Sequence, residues 1–349
     1  MKKETLVQVI IIVILTVILG ISVKFTVDEM SNNQRQNSFR GFPMEEEVEK
    51  ETKADDVKFG QEVNESNIDL SKYNSNITIT KSGEYTLKGE FKNSVLVNAE
   101  SDVTLVLDGV NIKNAVTATL VNVGTNKLTI KLADNSANTL SDGGSSEYDS
   151  CIYSSGPLTI EGNGELNVYG NQEEGEGIAT ETSDITINGG KISVECKDDG
   201  INAGGDGGTI TINGGEVYIK ASGDGIDSNK NLVINGGNVY TMGSSLGGDA
   251  GIDTDGGVAI NGGKVIALGS DMLQKPEATS KQKSVCFNLS NKISNGTEIS
   301  LKNEGGEEII SFEAKEEFRT LIVSNSKLSS GTYYLYQNGE KTVFSAEVE

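Results

Sequence analysis

The sequence predicts an all-β chain: a right-handed parallel β-helix with a small C-terminal antiparallel β cap, preceded by one N-terminal transmembrane helix. Three observations predict it. The tetrapeptide Ile-Asn-Gly-Gly occurs four times, an acidic-Gly-Ile tripeptide recurs in step with it, and an uncharged apolar run fills the N-terminus.

The tetrapeptides begin at Ile187, Ile212, Ile234 and Ile260, a recurrence of roughly 25 residues that marks a solenoid rather than a sandwich. The tripeptides are Glu176-Gly177-Ile178, Asp199-Gly200-Ile201, Asp224-Gly225-Ile226 and, with the acid replaced, Ala250-Gly251-Ile252. Each unit reads as a short alternating strand, a Gly-Gly bend, a second alternating strand, an acidic turn and a short third strand. Three strands per unit describe one coil of a β-helix, with equivalent strands of successive coils pairing about 4.8 Å apart.

Aligned by coil, Leu166, Ile192, Val217, Val239 and Val265 form one inward column and Val168, Val194, Ile219, Thr241 and Ala267 the next. Asn188, Asn213, Asn235 and Asn261 align as a column that reads as a hydrogen-bonded ladder. Weaker coils lie upstream at 103–107, 128–132 and 151–154, so the β-helix is assigned to 67–275. Beyond it, alternating segments within 276–349 predict a β unit that covers the open solenoid end.

Residues 6–23 are uncharged, mostly apolar and about long enough to cross a bilayer. Lys2 and Lys3 precede them, so residues 1–5 read as a cytoplasmic tail and the remainder as extracytoplasmic. A cleaved signal peptide is the alternative, with Gly20 and Ser22 as small residues before a cut. Residues 24–66 are polar and strongly acidic, as in a flexible linker. The expected location is therefore the cell membrane, single-pass, or outside the cell if the segment is removed.

Composition excludes much. A net charge of -22, from 51 acidic and 29 basic residues, argues against nucleic acid as a partner. The absence of histidine removes Ser-His-Asp and Cys-His catalysis and histidine-ligated metals. Cys151, Cys196 and Cys286 are too few and too far apart for a disulfide framework, and read as free thiols. No feature points to a protein partner.

The acidic turns stack at one corner and bring together Asp198, Asp199 and Asn202, then Asp224 and Asp227, then Asp249, Asp253 and Asp255. Like charges about 4 Å apart repel by about 1 kcal/mol in water and about 4 kcal/mol at an effective dielectric near 20, so a bound cation would relieve the corner. Flexible carboxylate and amide oxygens suit Ca2+. The plainer alternative is that Asp-Gly is a good turn dipeptide.

Outward positions on the strand after the Gly-Gly bend include Asn167, Ser193, Tyr218 and Tyr240 in one column and Lys220 beside it. Stacked tyrosines with polar neighbours on a rigid sheet suit the flat faces and hydroxyls of sugar rings. Exposed tyrosines also arise from strand propensity alone.

The phrases Ile77-Thr-Ile-Thr-Lys-Ser-Gly-Glu-Tyr-Thr-Leu-Lys-Gly89, Val103-Thr-Leu-Val-Leu-Asp-Gly-Val-Asn-Ile112, Cys151-Ile-Tyr-Ser154 and Leu158-Thr-Ile-Glu-Gly-Asn-Gly-Glu-Leu166 occur in that order. Ser311-Phe312, Thr320-Leu-Ile-Val-Ser324 and Gly331-Thr-Tyr-Tyr-Leu335 follow near the end. Together they resemble the bacterial calcium-containing β-helix carbohydrate-binding domain family, whose fold is pectate-lyase-like. The resemblance implies calcium at Asp199 and Asp224 with their neighbours, and a polysaccharide ligand such as cellulose or polygalacturonate. The chain departs from the pattern at Ala250 and Glu176, which puts one calcium site in doubt.

The expected protein is thus a non-enzymatic, calcium-binding, carbohydrate-binding surface protein. A calcium-dependent polysaccharide lyase is the rival, with Lys197, Lys220 or Lys230 as base, although lysines among carboxylates hold their protons. A calcium-stiffened adhesive or structural protein is the third reading.

Overall fold

The structure, a computed structural model, describes residues 58–205 and 207–348. The expected tail, membrane span and most of the linker lie outside the described residues. Among the described residues no helix is long and apolar enough to cross a membrane.

The described chain is a parallel β-solenoid with three faces. The third strands of successive coils form a nine-stranded parallel sheet that includes Ile77–Ile79, Leu120–Asn122, Ser150–Ser154, Glu176–Thr180, Ile201–Ala203, Ile226–Ser228 and Asp253–Thr254. The other two faces form one 17-stranded sheet, because the long strands Gly83–Phe91 and Val103–Lys113 turn the corner without a break. Val103–Lys113 pairs with Leu128–Leu132 on the first face and with the end of Ala137–Ser141 on the second. Farther along, bends replace these corners, so Ile210–Ile212 lies on the first face and Glu216–Lys220 on the second.

Register is maintained through the stack. Leu166 pairs with Ile192, Ile192 with Val217, Val217 with Val239 and Val239 with Val265, as the aligned repeats predict. Ile187, Ile212, Ile234 and Ile260 line the first face with no exposure. Ile152, Ile178, Ile201 and Ile226 do the same on the third. Side chains of like shape thus meet along the axis in one continuous apolar core.

The Gly-Gly bend has a specific cause. Gly215, Gly237 and Gly263 have φ of +94°, +88° and +89°, where L side chains rarely sit. A Cβ on Gly237 would also lie 2.7 Å from the carbonyl oxygen of Gly215 in the preceding coil. The asparagine before each bend forms the expected ladder: Asn213 Nδ2 donates to Asn188 Oδ1 at 2.9 Å, Asn235 to Asn213 at 2.8 Å and Asn261 to Asn235 at 2.9 Å.

Both ends are sealed. The pairing of Gln61–Glu62 with Ile77 and Thr78 starts the third-face sheet within the segment expected to be linker. The 3-10 turn Leu70–Lys72, capped by Asp69, buries Leu70 beside Ile68 at this end. At the other end, Glu277 and Gln282 donate backbone N–H groups to the carbonyls of Val258 and Ile260, and the Gln274 side chain bonds Thr254 as a strand backbone would.

Phe318–Ser324 then pairs antiparallel with Lys264–Gly269, and Ser284–Ile293 pairs with Phe318–Ser324. A four-stranded antiparallel sheet, Glu298–Asn303, Glu308–Glu313, Gly331–Gln337 and Glu340–Val348, completes the cap. Its core holds Phe287, Phe318 and Tyr333 together with Met242, Ile266 and Leu268, which point outward from the solenoid. Among the described residues Cys151, Cys196 and Cys286 are free thiols, the first two buried and the third half-buried.

Gly215→Ala is expected to destabilise by about 1–3 kcal/mol through backbone strain and collision with the coil below. Asn213→Ala, on the exposed ladder, should cost about 1 kcal/mol or less. Urea unfolding checks the order, and an Asn213→Ala cost above that of Gly215→Ala would contradict it.

Candidate functional site

The second face carries a stacked pair of outward tyrosines. In the strands Glu165–Gly170, Lys191–Cys196, Glu216–Lys220 and Asn238–Met242 alternate residues point out, so Asn167, Ser193, Tyr218 and Tyr240 are successive neighbours in one column. The rings of Tyr218 and Tyr240 lie 5.6 Å apart and 10° from parallel. Phe312 of the cap meets Tyr240 edge-on at 5.8 Å and 76°, and fixes the second ring while the first stays exposed.

Asn167, Ser193, Tyr218 and Tyr240 line an open groove of about 490 Å³, with Ile266 at the cap end and Lys191 at its side. Asn167 Nδ2 donates to Glu165 Oε1 at 2.9 Å. Lys220 stands one column over, held 2.8 Å from Glu316 of the cap and 3.4 Å from Glu195. The bond to Glu316 and the neighbouring acids hold its pKa above the ordinary lysine value.

The acidic corner lies where the second face passes into the third. Asp199 Oδ1 accepts the backbone N–H of Asp224 at 2.6 Å, and Asp224 Oδ1 accepts that of Ala250 at 2.5 Å. One acid therefore caps the same position in the next coil. The glycine that follows is required by contact, since a Cβ on Gly200 would collide with Ile219 and with the Gly225 carbonyl. Asn202, Asp227 and Asp253 are register neighbours on the third face.

Asn202 Nδ2 donates to Glu176 Oε1 at 2.5 Å and reaches Asp199 Oδ2 at 3.3 Å, while its Oδ1 is buried with no partner among the described residues. Burial first, then neighbouring acids, pushes Glu176 up to about 9. Burial likewise raises Asp199 and Asp224 to about 7 and Asp227 to about 6, and Asp198 moves in the same direction.

A family model described as carbohydrate-binding domain-containing protein matches residues 73–347. The chain belongs to this carbohydrate-binding domain family. A carbohydrate-binding domain-containing protein of Acetivibrio thermocellus is 37% identical over 145 residues, 38% of this chain and 50% of that protein. The chain thus matches about half the length of this curated relative. A solved structure titled as a polysaccharide lyase-like protein from C. thermocellum, in a gadolinium derivative, is 30% identical with a TM-score of 0.44 and covers 56% of this chain and 91% of that chain.

In this carbohydrate-binding domain the residues singled out from sequence fall into two separate groups. Tyr218, Tyr240, Asn167 and Ser193 share the groove, with Lys220 engaged beside it. Asp198, Asp199, Asn202, Asp224, Asp227 and Asp253 gather along the corner, where Asp249 is close enough to act on Asp198 and Asp255 on Asp227. Among the described residues no three carboxylates or thiols converge into a ready-made metal-ligand set; the convergence is of two carboxylates and an amide.

Two acids were missed as site residues. Glu176 is half-buried within the corner, and Asp149, whose carbonyl accepts the Glu176 N–H, raises the Glu176 pKa. The signal for Asp149 was its place before Ser150-Cys151-Ile152, in phase with the later turns but without their glycine.

These carboxylates have folded-state pKa values above their unfolded ones. The stability that their protonated forms contribute is complete below about pH 4 and lost as pH rises towards about 9. In chelator, the melting temperature is expected to fall between about pH 5 and about pH 9. A cation that binds the ionised corner should flatten that fall. A melting temperature that climbs with pH in chelator would contradict the assignment.

Proposed function

We propose that the protein is an extracytoplasmic polysaccharide-binding module, held at the cell membrane by the apolar segment at residues 6–23, that grips a glycan in the second-face groove and carries calcium at the acidic corner. The observation that carries this reading is the near-parallel pair Tyr218 and Tyr240 in an open groove, in a chain of the carbohydrate-binding domain family. The rings offer apolar platforms to sugar faces, and Asn167 and Ser193 offer polar partners to the hydroxyls. The groove is a strip, suited to a segment within a long chain.

The corner fits a hard cation by its donor set. Glu176 and Asp199, which the Asn202 amide bridges, would begin the calcium site together with the unpartnered Asn202 oxygen, and Asp224 and Asp227 of the next coil would add negative charge beside it. Its charge there would offset repulsion among stacked carboxylates and stiffen the wall of the groove. Ala250 follows from position: its N–H donates to Asp224, and an acid in its place would face no further coil of the same kind.

Binding without turnover is favoured over lyase chemistry by the state of Lys220. Its two glutamate partners keep the ammonium protonated, the wrong state for abstracting a proton.

The test is retention of the protein on cellulose, polygalacturonate and bacterial wall glycan, with calcium and with chelator, while the same samples are followed for the ultraviolet absorbance of unsaturated uronate. Retention without new absorbance is expected on at least one glycan, weakened about tenfold by Tyr218→Ala. Rising absorbance would establish a lyase. No retention under any condition would leave a calcium-stiffened structural protein as the better account.

A further inference from the structure

The outward column that holds the tyrosines does not stop at Asn167. Register carries it across Thr139 and Asn111 to Glu90, one residue per coil: Glu90 pairs with Asn111, Asn111 with Thr139, and Thr139 with Asn167. From Glu90 to Tyr240 there are six successive pairings, roughly 29 Å at about 4.8 Å per strand. Thr139, Asn167 and Ser193 are half-buried, so the floor between the ends is polar and low.

At the N-terminal end this column enters a second cavity of about 500 Å³. Tyr73 and Phe91 give it aromatic walls, and Asn111, Lys92, Lys113 and Glu90 give it polar ones. Asn111 Oδ1 is buried with no hydrogen-bond partner among the described residues. Lys92 and Lys113 are exposed. Among the described residues neither makes an ion pair, whereas Lys220 at the other end makes two.

We infer that the polysaccharide lies along the solenoid axis, across the strands, and that the cavity beside Tyr73 and Asn111 is a second subsite for a sugar residue of the same chain, with preference for a carboxylated one. A sugar residue is about as long as one rung of roughly 4.8 Å, so successive residues of a chain laid along the axis would meet successive coils. An unpaired acceptor in Asn111 calls for a hydroxyl donor, and two unpaired ammonium groups against one carboxylate leave the cavity net positive within a chain of net charge -22. This inference rests on the reading of the groove as a glycan site.

The experiment measures binding of a disaccharide and of an oligomer of about six residues, each in galacturonate and cello-oligosaccharide form, to the whole protein by calorimetry. Asn111→Ala and Lys113→Glu should each weaken the long galacturonate oligomer about tenfold and leave the disaccharide unchanged, while Tyr218→Ala weakens both. Lys113→Glu should affect the neutral oligomer less. Lys92→Glu serves as a second charge variant, and unchanged thermal unfolding shows that the variants fold.

If Tyr218→Ala weakens the long oligomers and the three N-terminal variants do not, the ligand is confined to the tyrosine groove and the second subsite is refuted. If the parent binds no oligomer and no polysaccharide, the glycan reading falls and takes this inference with it.

Discussion

Parallel stacking in strict register is the constraint on which the rest of this molecule depends. When each strand sits about 4.8 Å above its equivalent, every side chain meets the residue at the same position one coil away. Columns of like shape then pack well: Ile on Ile at the first and third faces, Val on Val at the second. A slip of one residue would put each inward column outside and each outward one inside. The same geometry turns single properties into ladders, so that one asparagine becomes a rail of amide hydrogen bonds and one acid becomes a ridge of carboxylates.

The ridge shows how one residue type serves two opposed demands. Asp199 and Asp224 each satisfy a backbone N–H of the following coil, which ties the corner together. Their charges also crowd, and burial beside Glu176 deepens the conflict. The asparagine ladder has no such conflict, because an amide donates to its neighbour on one side and accepts on the other. Among the described residues, tension in the stack therefore gathers at one corner and leaves the adjoining bend relaxed.

Much of the solenoid was legible because the repeats report register directly. Once Asn188, Asn213, Asn235 and Asn261 were aligned, Leu166 through Val265 and the outward Tyr218 and Tyr240 followed by alternation. What was hidden involves contacts between segments that share no repeat. Leu96, Val121 and Tyr153 point out of the third face yet form a small buried cluster with Ala118, which the coil pattern cannot show. By register Ile266 follows Tyr240 and Leu268 follows Met242 at outward positions, and the cap folds over all three of Met242, Ile266 and Leu268. The engagement of Lys220 by Glu316 depends on the same docking, across nearly a hundred residues of sequence. The start of the first sheet at Gln61 was missed because its two residues carry no apolar signal.

The way the stack ends has a wider meaning. Phe318–Ser324 runs against the direction of Lys264–Gly269, and Gln274 occupies the donor and acceptor of Thr254. A reversed strand offers no template for another parallel coil, so the parallel stacking of this face ends at Lys264–Gly269. Between its two seals, by contrast, one coil is much like the next. The molecule can therefore be lengthened or shortened over evolutionary time by gain or loss of an internal coil, each change altering the reach of its outer faces by a single rung while both ends stay as they are.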